Sequence, residues 1–455
     1  FFSSLTSTSI SNPPSYFNVG VMFPIQKFGL PAPSIKHFAA IMMAFEDINN
    51  KSDGIYDYIL PQTQLRNVVR SPNNGFYFGA FFAKDMLSVD SNKGVKVNIG
   101  PYGDLAMQGS VPTFKEFGYT PVIGYYDRSS TMCNSIAYPN LMRLIPSIYY
   151  DAYAISSLIS KYFQWNKVTI FSTNTDDGRA SSTMFRYYAT KFKIQILSSH
   201  TIDEGKSDLS YEINKAKNVG ARIFVLFTDT TVGMQLIEEG QRMKLFTSNT
   251  QIIGGEKMSL SSSWKSLNIP IQNLTSLLNG FIGVKYRAYA PSSKLKSQFL
   301  QRWINHKTTN GYINEDGNQV CDKTMDYYKG SYLYQYYPND DKSKSPICAG
   351  INFTSYKNTT NHPNLEYELD EMMYAYDATI TAALGLHHMI YDMNMSNPTS
   401  SDLRKNLIYN TSFDGLTGKV SFMTEIQDFN VGGRKTEILY EIVNFISPNI
   451  INSEN

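Results

Sequence analysis

The sequence predicts an α/β protein whose parallel sheets are flanked by helices on both faces. Two observations carry this. Short apolar runs alternate with amphipathic helical stretches through the middle of the chain, the pattern of βαβ crossovers. The apolar runs are also nearly continuous rather than alternating, as strands buried on both faces are. With 455 residues there is room for about three domains of ~150 residues, or two large ones.

Taken in order, residues 17–23 form an apolar run that stops at Pro24 and reads as a strand. Residues 36–50 follow as a helix, with Ile41, Met42, Phe45 and Ile48 at helical spacing and Glu46, Asp47 and Asn50 off that face. Strands are predicted at 95–99, stopped by Gly100-Pro101, and at 121–123, after an amphipathic stretch near 114–117. The alternation then becomes regular: helix 151–163, strand 168–171, a polar loop over 172–178, helix 184–191, strand 194–197. A helix marked by Leu209, Ile213 and Ala216 leads to strand 223–227, helix 232–243 and strand 251–253. Beyond strand 281–284 and helix 294–304 lies a polar segment, 306–364, and then a helix over 368–389. Residues 419–423 and 436–445 read as two strands joined by a turn at Gly432-Gly433.

In open parallel sheets the ligand crevice lies outside the carboxyl ends of the strands. The loops to inspect are therefore 100–103, 125–129, 172–177, 228–230 and 254–256. They supply the candidate ligand contacts Tyr102, Gly103, Tyr126, Arg128, Ser129, Asp177, Asp229 and Glu256.

Composition excludes several classes. Hydrophobic residues are 42% and charged residues 18%, which excludes wholesale disorder. Lys+Arg 41 against Asp+Glu 39 leaves +2, so no nucleic acid or other polyanion is implied as partner. No run approaches the ~18 apolar residues of a membrane span. The chain opens on Phe1-Phe2 rather than Met, and reads as a processed piece whose signal peptide and membrane anchor would lie outside it.

Catalytic and cofactor motifs are not found: no P-loop, no Gly-x-Gly-x-x-Gly after a strand, no His-Glu-x-x-His and no Gly-x-Ser-x-Gly. No cofactor or metal is called for. Adjacent His387-His388 point to different helix faces, one expected in the core and one in water. Asp176-Asp177 and Asp340-Asp341 read as solvated loop carboxylates. The three cysteines, Cys133, Cys321 and Cys348, show no CxxC spacing. Cys321 and Cys348 flank the polar insertion, either as a disulfide or as two separate buried thiols. Cys133 is the odd one, a lone thiol or a bridge to a second chain. Sequons begin at Asn50, Asn273, Asn352, Asn358, Asn394 and Asn410, as a secreted chain permits.

Several stretches carry a family resemblance. Tyr138-Pro-Asn-Leu-Met-Arg-Leu-Ile-Pro-Ser147 is similar to the strand that leaves the first lobe in the ligand-binding region of class C G-protein-coupled receptors. Residues 151–172, Gly220-Ala-Arg-Ile-Phe-Val-Leu-Phe227, Ile252-Ile-Gly-Gly-Glu256 and Tyr374-Ala-Tyr-Asp-Ala378 follow in that family's order. Phe413-Asp-Gly-Leu-Thr-Gly-Lys-Val-Ser-Phe422 is the most specific match. The chain thus resembles a Venus-flytrap domain of the type I periplasmic-binding-protein fold, nearest the metabotropic GABA and glutamate receptors. Natriuretic-peptide receptors and branched-chain amino-acid binding proteins share that architecture.

The resemblance implies two Rossmann-like lobes hinged by three crossings. Lobe 1 would be 1–147 plus 290–412, with the insertion 306–364. Lobe 2 would be 148–289 plus 413–448, leaving 449–455 as a tail. A small molecule, amino-acid-like or anionic, would be held between the lobes and favour closure. The resemblance also implies a Cys321–Cys348 disulfide and pairing of two chains, alike or different, through lobe 1. Amino-acid receptors of the family place small hydroxyl residues where this chain has Tyr126 and Arg128, and a Ser-rich loop where it has Pro101-Tyr-Gly-Asp104. Arg128 could grip an anion by a two-pronged bond, and Glu256 could meet a ligand amine. Asp229 stands where the family often has an aromatic lid. The leading expectation is an extracellular sensing domain without catalysis of its own. The alternatives are a solute-binding protein for a transporter, or an interaction module that keeps the fold without a ligand.

Overall fold

The computed structural model describes residues 13–23, 35–70, 72, 75–89, 94–259, 276–287, 294–305, 365–424, 432–434 and 439–445. Contacts divide the chain into two units: 1–127, 132–145 and 291–437 in the first, and 128–131, 146–290 and 438–455 in the second. In chain order the first unit opens with β1 (Tyr16–Met22), α1 (Ile35–Asn49), β2 (Gln64–Arg70), α2 (Phe76–Leu87), β3 (Val97–Ile99), α3 (Asp104–Glu116), β4 (Val122–Gly124) and β5 (Leu141–Arg143). The second unit holds α4 (Tyr149–Ser157), β6 (Lys167–Thr173), α5 (Asp176–Lys191), β7 (Gln195–Ile202), α6 (Ser210–Asn218) and β8 (Ile223–Phe227). It continues through α7 (Thr230–Arg242), β9 (Gln251–Gly254), α8 (Glu256–Ser259) and β10 (Ile282–Arg287). The chain returns to the first unit with α9 (Lys294–Asn305), α10 (Leu365–His387), α11 (Ser400–Asn410), β11 (Phe413–Gly415) and β12 (Gly418–Val420). Strand β13 (Leu439–Asn444) then joins the second.

The first sheet is wholly parallel, in the order β2-β1-β3-β4-β5. The second runs β13-β10-β9-β8-β6-β7 and is parallel except for the antiparallel pair β10–β13. Strand order reverses direction beside β1/β3 in the first unit and beside β6/β8 in the second. Those are the points where such sheets leave a crevice for ligand.

Burial explains the continuous apolar strands. In β8, Phe224 and Leu226 belong to one core cluster while Val225 and Phe227 belong to another, so each face of the sheet has its own core. In α1 the apolar face is wider than spacing predicted. Phe38, Ile41, Met42, Met43, Phe45 and Ile48 are all buried, and α10 packs along it. Asp47 lies off the predicted face and is nonetheless buried. Tyr376 Oη donates to it at 2.5 Å and Arg302 of α9 pairs with it. Burial pushes the Asp47 carboxyl up, against the pull of the Arg302 and Tyr376 hydrogen bonds. Helices α2 and α3 touch backbone to backbone, since a Cβ on Gly109 would stand 2.0 Å from the Phe76 carbonyl.

The units divide the chain differently from the expected lobes in two places. Residues 413–437 lie with the first unit because Asp377 of α10 holds their turn. It accepts from Leu416 N (2.9 Å), Thr417 N (2.8 Å) and Thr417 Oγ1 (2.5 Å), and Arg434 donates to Thr417 Oγ1 at 2.6 Å. Residues 128–131 lie with the second unit because Arg128 bonds there.

Two sequence expectations are corrected, and of the two alternatives for Cys133 the lone thiol is the one found. The end of 419–423 does meet the Gly432-Gly433 turn, with Phe422 bridging Arg434 antiparallel, but it does not pair with β13. β12 turns back on β11, and β13 pairs with β10 instead. Neither histidine of the 387–388 pair is in the core or in open water. Both are half-buried, with His387 Nδ1 accepting from Leu60 N (3.0 Å) and His388 Nδ1 at 2.5 Å from Asn406 Nδ2. Cys133 is buried, with Arg143 Nη2 donating to its sulfur at 2.7 Å. An interchain bridge there would require the core around it to open.

Candidate functional site

Each unit presents its own set of strand-end residues. In the first, β3 runs into Gly100, whose φ of 85° is open to glycine alone at low cost. This tight exit brings Tyr102 back to β1, its N–H donating to the Met22 carbonyl at 3.3 Å. Gly103, with φ 113°, then starts α3. Tyr126, two residues past β4, stacks on Tyr102 with ring centroids 3.7 Å apart and 22° between planes. The His37 ring of α1 lies 5.1 Å from Tyr102, 5.6 Å edge-on from Tyr126 and 5.8 Å from Tyr125. Glu371 Oε2 of α10 is 3.8 Å from His37 Nε2. Burial, then the Glu371 charge, pushes the Tyr126 phenol far up, and burial with Tyr102 does the same to Tyr125. Both phenols are therefore neutral at ordinary pH. Tyr125 is fully buried, and its hydroxyl meets no hydrogen-bonding group among the described residues.

In the second unit Arg128 is the hub. Its Nη2 donates to Asp151 Oδ1 at 2.6 Å, Nη1 to Asp151 Oδ2 at 3.4 Å, and Nε to the Pro146 carbonyl at 2.8 Å. Nη1 also pairs with Glu256 at the start of α8, and the guanidinium lies 4.3 Å from the Tyr286 ring centre. Tyr440 of β13 donates to Asp151 Oδ1 at 2.9 Å. Burial works most strongly against the Arg128 charge, but Asp151, Tyr440 and Tyr286 together outweigh it and the group is held firmly cationic. The two-pronged bond anticipated for a ligand anion is thus made to Asp151.

The other candidates have structural partners as well. Asp177, in the first turn of α5, faces Lys257 Nζ at 3.2 Å and accepts from Ser130 N and Oγ at 3.3 Å. Asp176-Asp177 therefore open a helix rather than lie in a loop. Ser129 Oγ accepts from Thr131 N at 3.2 Å, and Asp229 caps α7 by accepting from Val232 N at 3.0 Å.

The structure thus joins Tyr102, Gly103 and Tyr126 in one unit and Arg128 with Glu256 in the other. Sequence reasoning missed His37, Tyr125 and Glu371 in the first unit, and Asp151, Tyr286 and Tyr440 in the second. The short β5 hid the strand end ahead of Asp151, while Tyr125 sat inside an inspected loop. Of the sequons, Asn50, Asn394 and Asn410 are exposed. Asn273, Asn352, Asn358, Cys321 and Cys348 lie outside the described residues. Among the described residues no His, Cys, Asp or Glu cluster could hold a metal, and no helix is long and apolar enough to cross a membrane.

Two parallel α/β sheets with strand-end residues of this kind define a binding protein of the periplasmic type I fold. Residues 37–446 match the receptor family ligand binding region, and the chain belongs to that family. It is 20% identical to glutamate receptor 3.7 of Arabidopsis thaliana over 66% of this chain, and 22% identical to glutamate receptor 3.4 over 68%. A receptor-type guanylate cyclase of Caenorhabditis elegans matches at 27% over 38% of the chain and 15% of its own length. The chain spans 30% and 31% of the two plant receptors. Among solved structures, the branched-chain amino acid transporter substrate binding protein LivJ of Streptococcus pneumoniae, in complex with isoleucine, superposes with TM-score 0.57 at 13% identity. That match covers 96% of this chain and 100% of LivJ, and it shows the fold.

Proposed function

We propose that this ligand-binding region is the sensing domain of a cell-surface receptor, displayed outside the cell and without catalysis of its own. The observation that carries it is the receptor-family match across 37–446. The three exposed sequons suit an extracellular address, and a Cys321–Cys348 bridge would close the insertion. The ligand is a small molecule bound at strand carboxyl ends, with Tyr102, Gly103 and Tyr126 contributing from the first unit. Ser129, Asp177, Asp229, Arg128 and Glu256 shape the corresponding ends in the second. A ligand at a hundredfold excess over its Kd should stabilise the fold by about 2.7 kcal/mol, read as a rise in melting temperature across a metabolite screen. A screen in which nothing shifts the melt would remove the sensing role. A second reading, an interaction module without ligand, is favoured by the committed Arg128 donors and predicts that flat screen.

We further propose that two copies of the chain associate through α2 and α3. Phe76, Tyr77 and Phe81 of α2 and Leu105 of α3 are 46%, 84%, 44% and 51% exposed, with Phe117 at 57% just beyond. Lys84 of α2 lies over the Phe117 ring at 5.5 Å, so Phe117 borders α2.

A further inference from the structure

We infer that the aromatic cluster at the strand ends of the first unit receives the ammonium group of a cationic ligand, so that this domain senses amines rather than α-amino acids or dicarboxylates. The inference deepens the ligand-binding reading above and rests on it. Its first support is geometric. Tyr102 and Tyr126 are stacked, with His37 against both and Tyr125 behind it. Ring faces attract cations through their quadrupole, and electron-rich phenol rings do so well.

The second support is the sign of the surroundings. After burial, the Glu371 carboxylate acts most strongly on the Tyr126 phenol, then Tyr102, and then a second carboxylate, Asp104. A ligand carboxylate here would meet like charge beside partly desolvated rings, while an ammonium group would meet two carboxylates and the ring faces together. Arg128 gives its N–H groups to Asp151, Glu256 and the Pro146 carbonyl.

The third support is independent of charge. The Tyr125 hydroxyl is fully buried within this cluster and has no hydrogen-bonding partner among the described residues. Buried hydroxyls are nearly always bonded, and a phenol oxygen is a ready acceptor for an ammonium N–H.

The test uses the full chain at neutral pH, with calorimetric titration of tyramine, putrescine and choline against L-leucine, L-glutamate and glutarate. At least one of the amines should bind and the others of the panel should not. Tyr126→Leu and Glu371→Gln should each weaken that binding by about tenfold or more, while Tyr126→Phe, which keeps the ring, stays within a few-fold. The unliganded melting temperature of each variant checks its folding, and Glu371→Gln carries the test if Tyr126→Leu does not fold. Binding of an amino acid or glutarate in place of the amines overturns the inference and leaves the receptor reading standing. Amine binding indifferent to both substitutions also overturns it. If nothing in this panel binds, the inference falls by itself, and the receptor reading falls only if the wider metabolite screen is also flat.

Discussion

At the scale of single residues, the clearest consequence concerns Arg128. Its side chain separates two carboxylates that are themselves almost out of water, Asp151 and Glu256, 4% and 13% exposed. Arg128→Met would remove the guanidinium with which both carboxylates pair. Breaking a buried pair from one side costs about 3–5 kcal/mol, so the urea midpoint should fall sharply. A variant as stable as the parent at neutral pH would show that Asp151 and Glu256 find other partners. Arg128 and Glu256 could be picked from sequence because both follow predicted strand ends. Asp151 could not, because its partner is chosen by a fold in which 128–131 belong with 146–290. The same limit hid Asp377. A buried carboxylate that caps a turn some forty residues downstream has no local signature.

At the scale of elements, the end of α10 predicts a pH response. His387 Nδ1 accepts from Leu60 N at 3.0 Å, and its ring stacks with Tyr391, centroids 5.1 Å apart. Burial lowers its pKa below 6.5; Asp392 opposes this, while His388 and Lys51 reinforce it. The folded state thus binds fewer protons than the unfolded one near that pH. The stability His387 contributes is fully present above about 6.5 and is lost as pH falls from there toward its folded-state value. His387→Gln keeps an acceptor for Leu60 N without titrating, so the fall in melting temperature between neutral and mildly acid pH should be shallower than in the parent. His200, also shifted down by burial, keeps its own share in both proteins. An unchanged slope would assign the acid response elsewhere.

Elements were legible where apolar periodicity was strong, as in α1, β8 and α7. They were missed where it was diluted. β2 reads Gln-Leu-Arg-Asn-Val-Val-Arg, half polar because it is the outermost strand of its sheet. The turn at Gly432-Gly433 was legible, with Phe422 bridging Arg434 across it, but the partner of the last strand was not, because β13 pairs with β10, far away in sequence.

At the scale of the whole molecule, the face of α2 and α3 asks for a partner. At ~200 Å² per aromatic side chain, Phe76, Tyr77, Phe81, Phe117 and Tyr119 with Leu105 expose roughly 600 Å² of apolar surface. That is at the top of the ~300–600 Å² found on monomers, and it approaches the ~800 Å² each partner buries in a standard interface. Tyr77 and Phe81 stand one helical turn apart and so share a stripe. Gly79 and Gly109 let the α2 and α3 backbones meet, which keeps the two helices flush as one surface. A surface of this kind is self-complementary under a two-fold axis, where the same stripe on a second copy covers it. Sedimentation velocity should therefore show a concentration-dependent dimer. Tyr77→Glu with Phe81→Glu should shift it to monomer by placing like charges across the axis, without lowering the melting temperature of the monomer. A parent protein that sediments as a monomer throughout, or a dimer unmoved by both glutamates, would remove α2 and α3 as the contact. The amine-binding cluster lies at strand ends, on other residues, so its titration should survive these two substitutions unchanged.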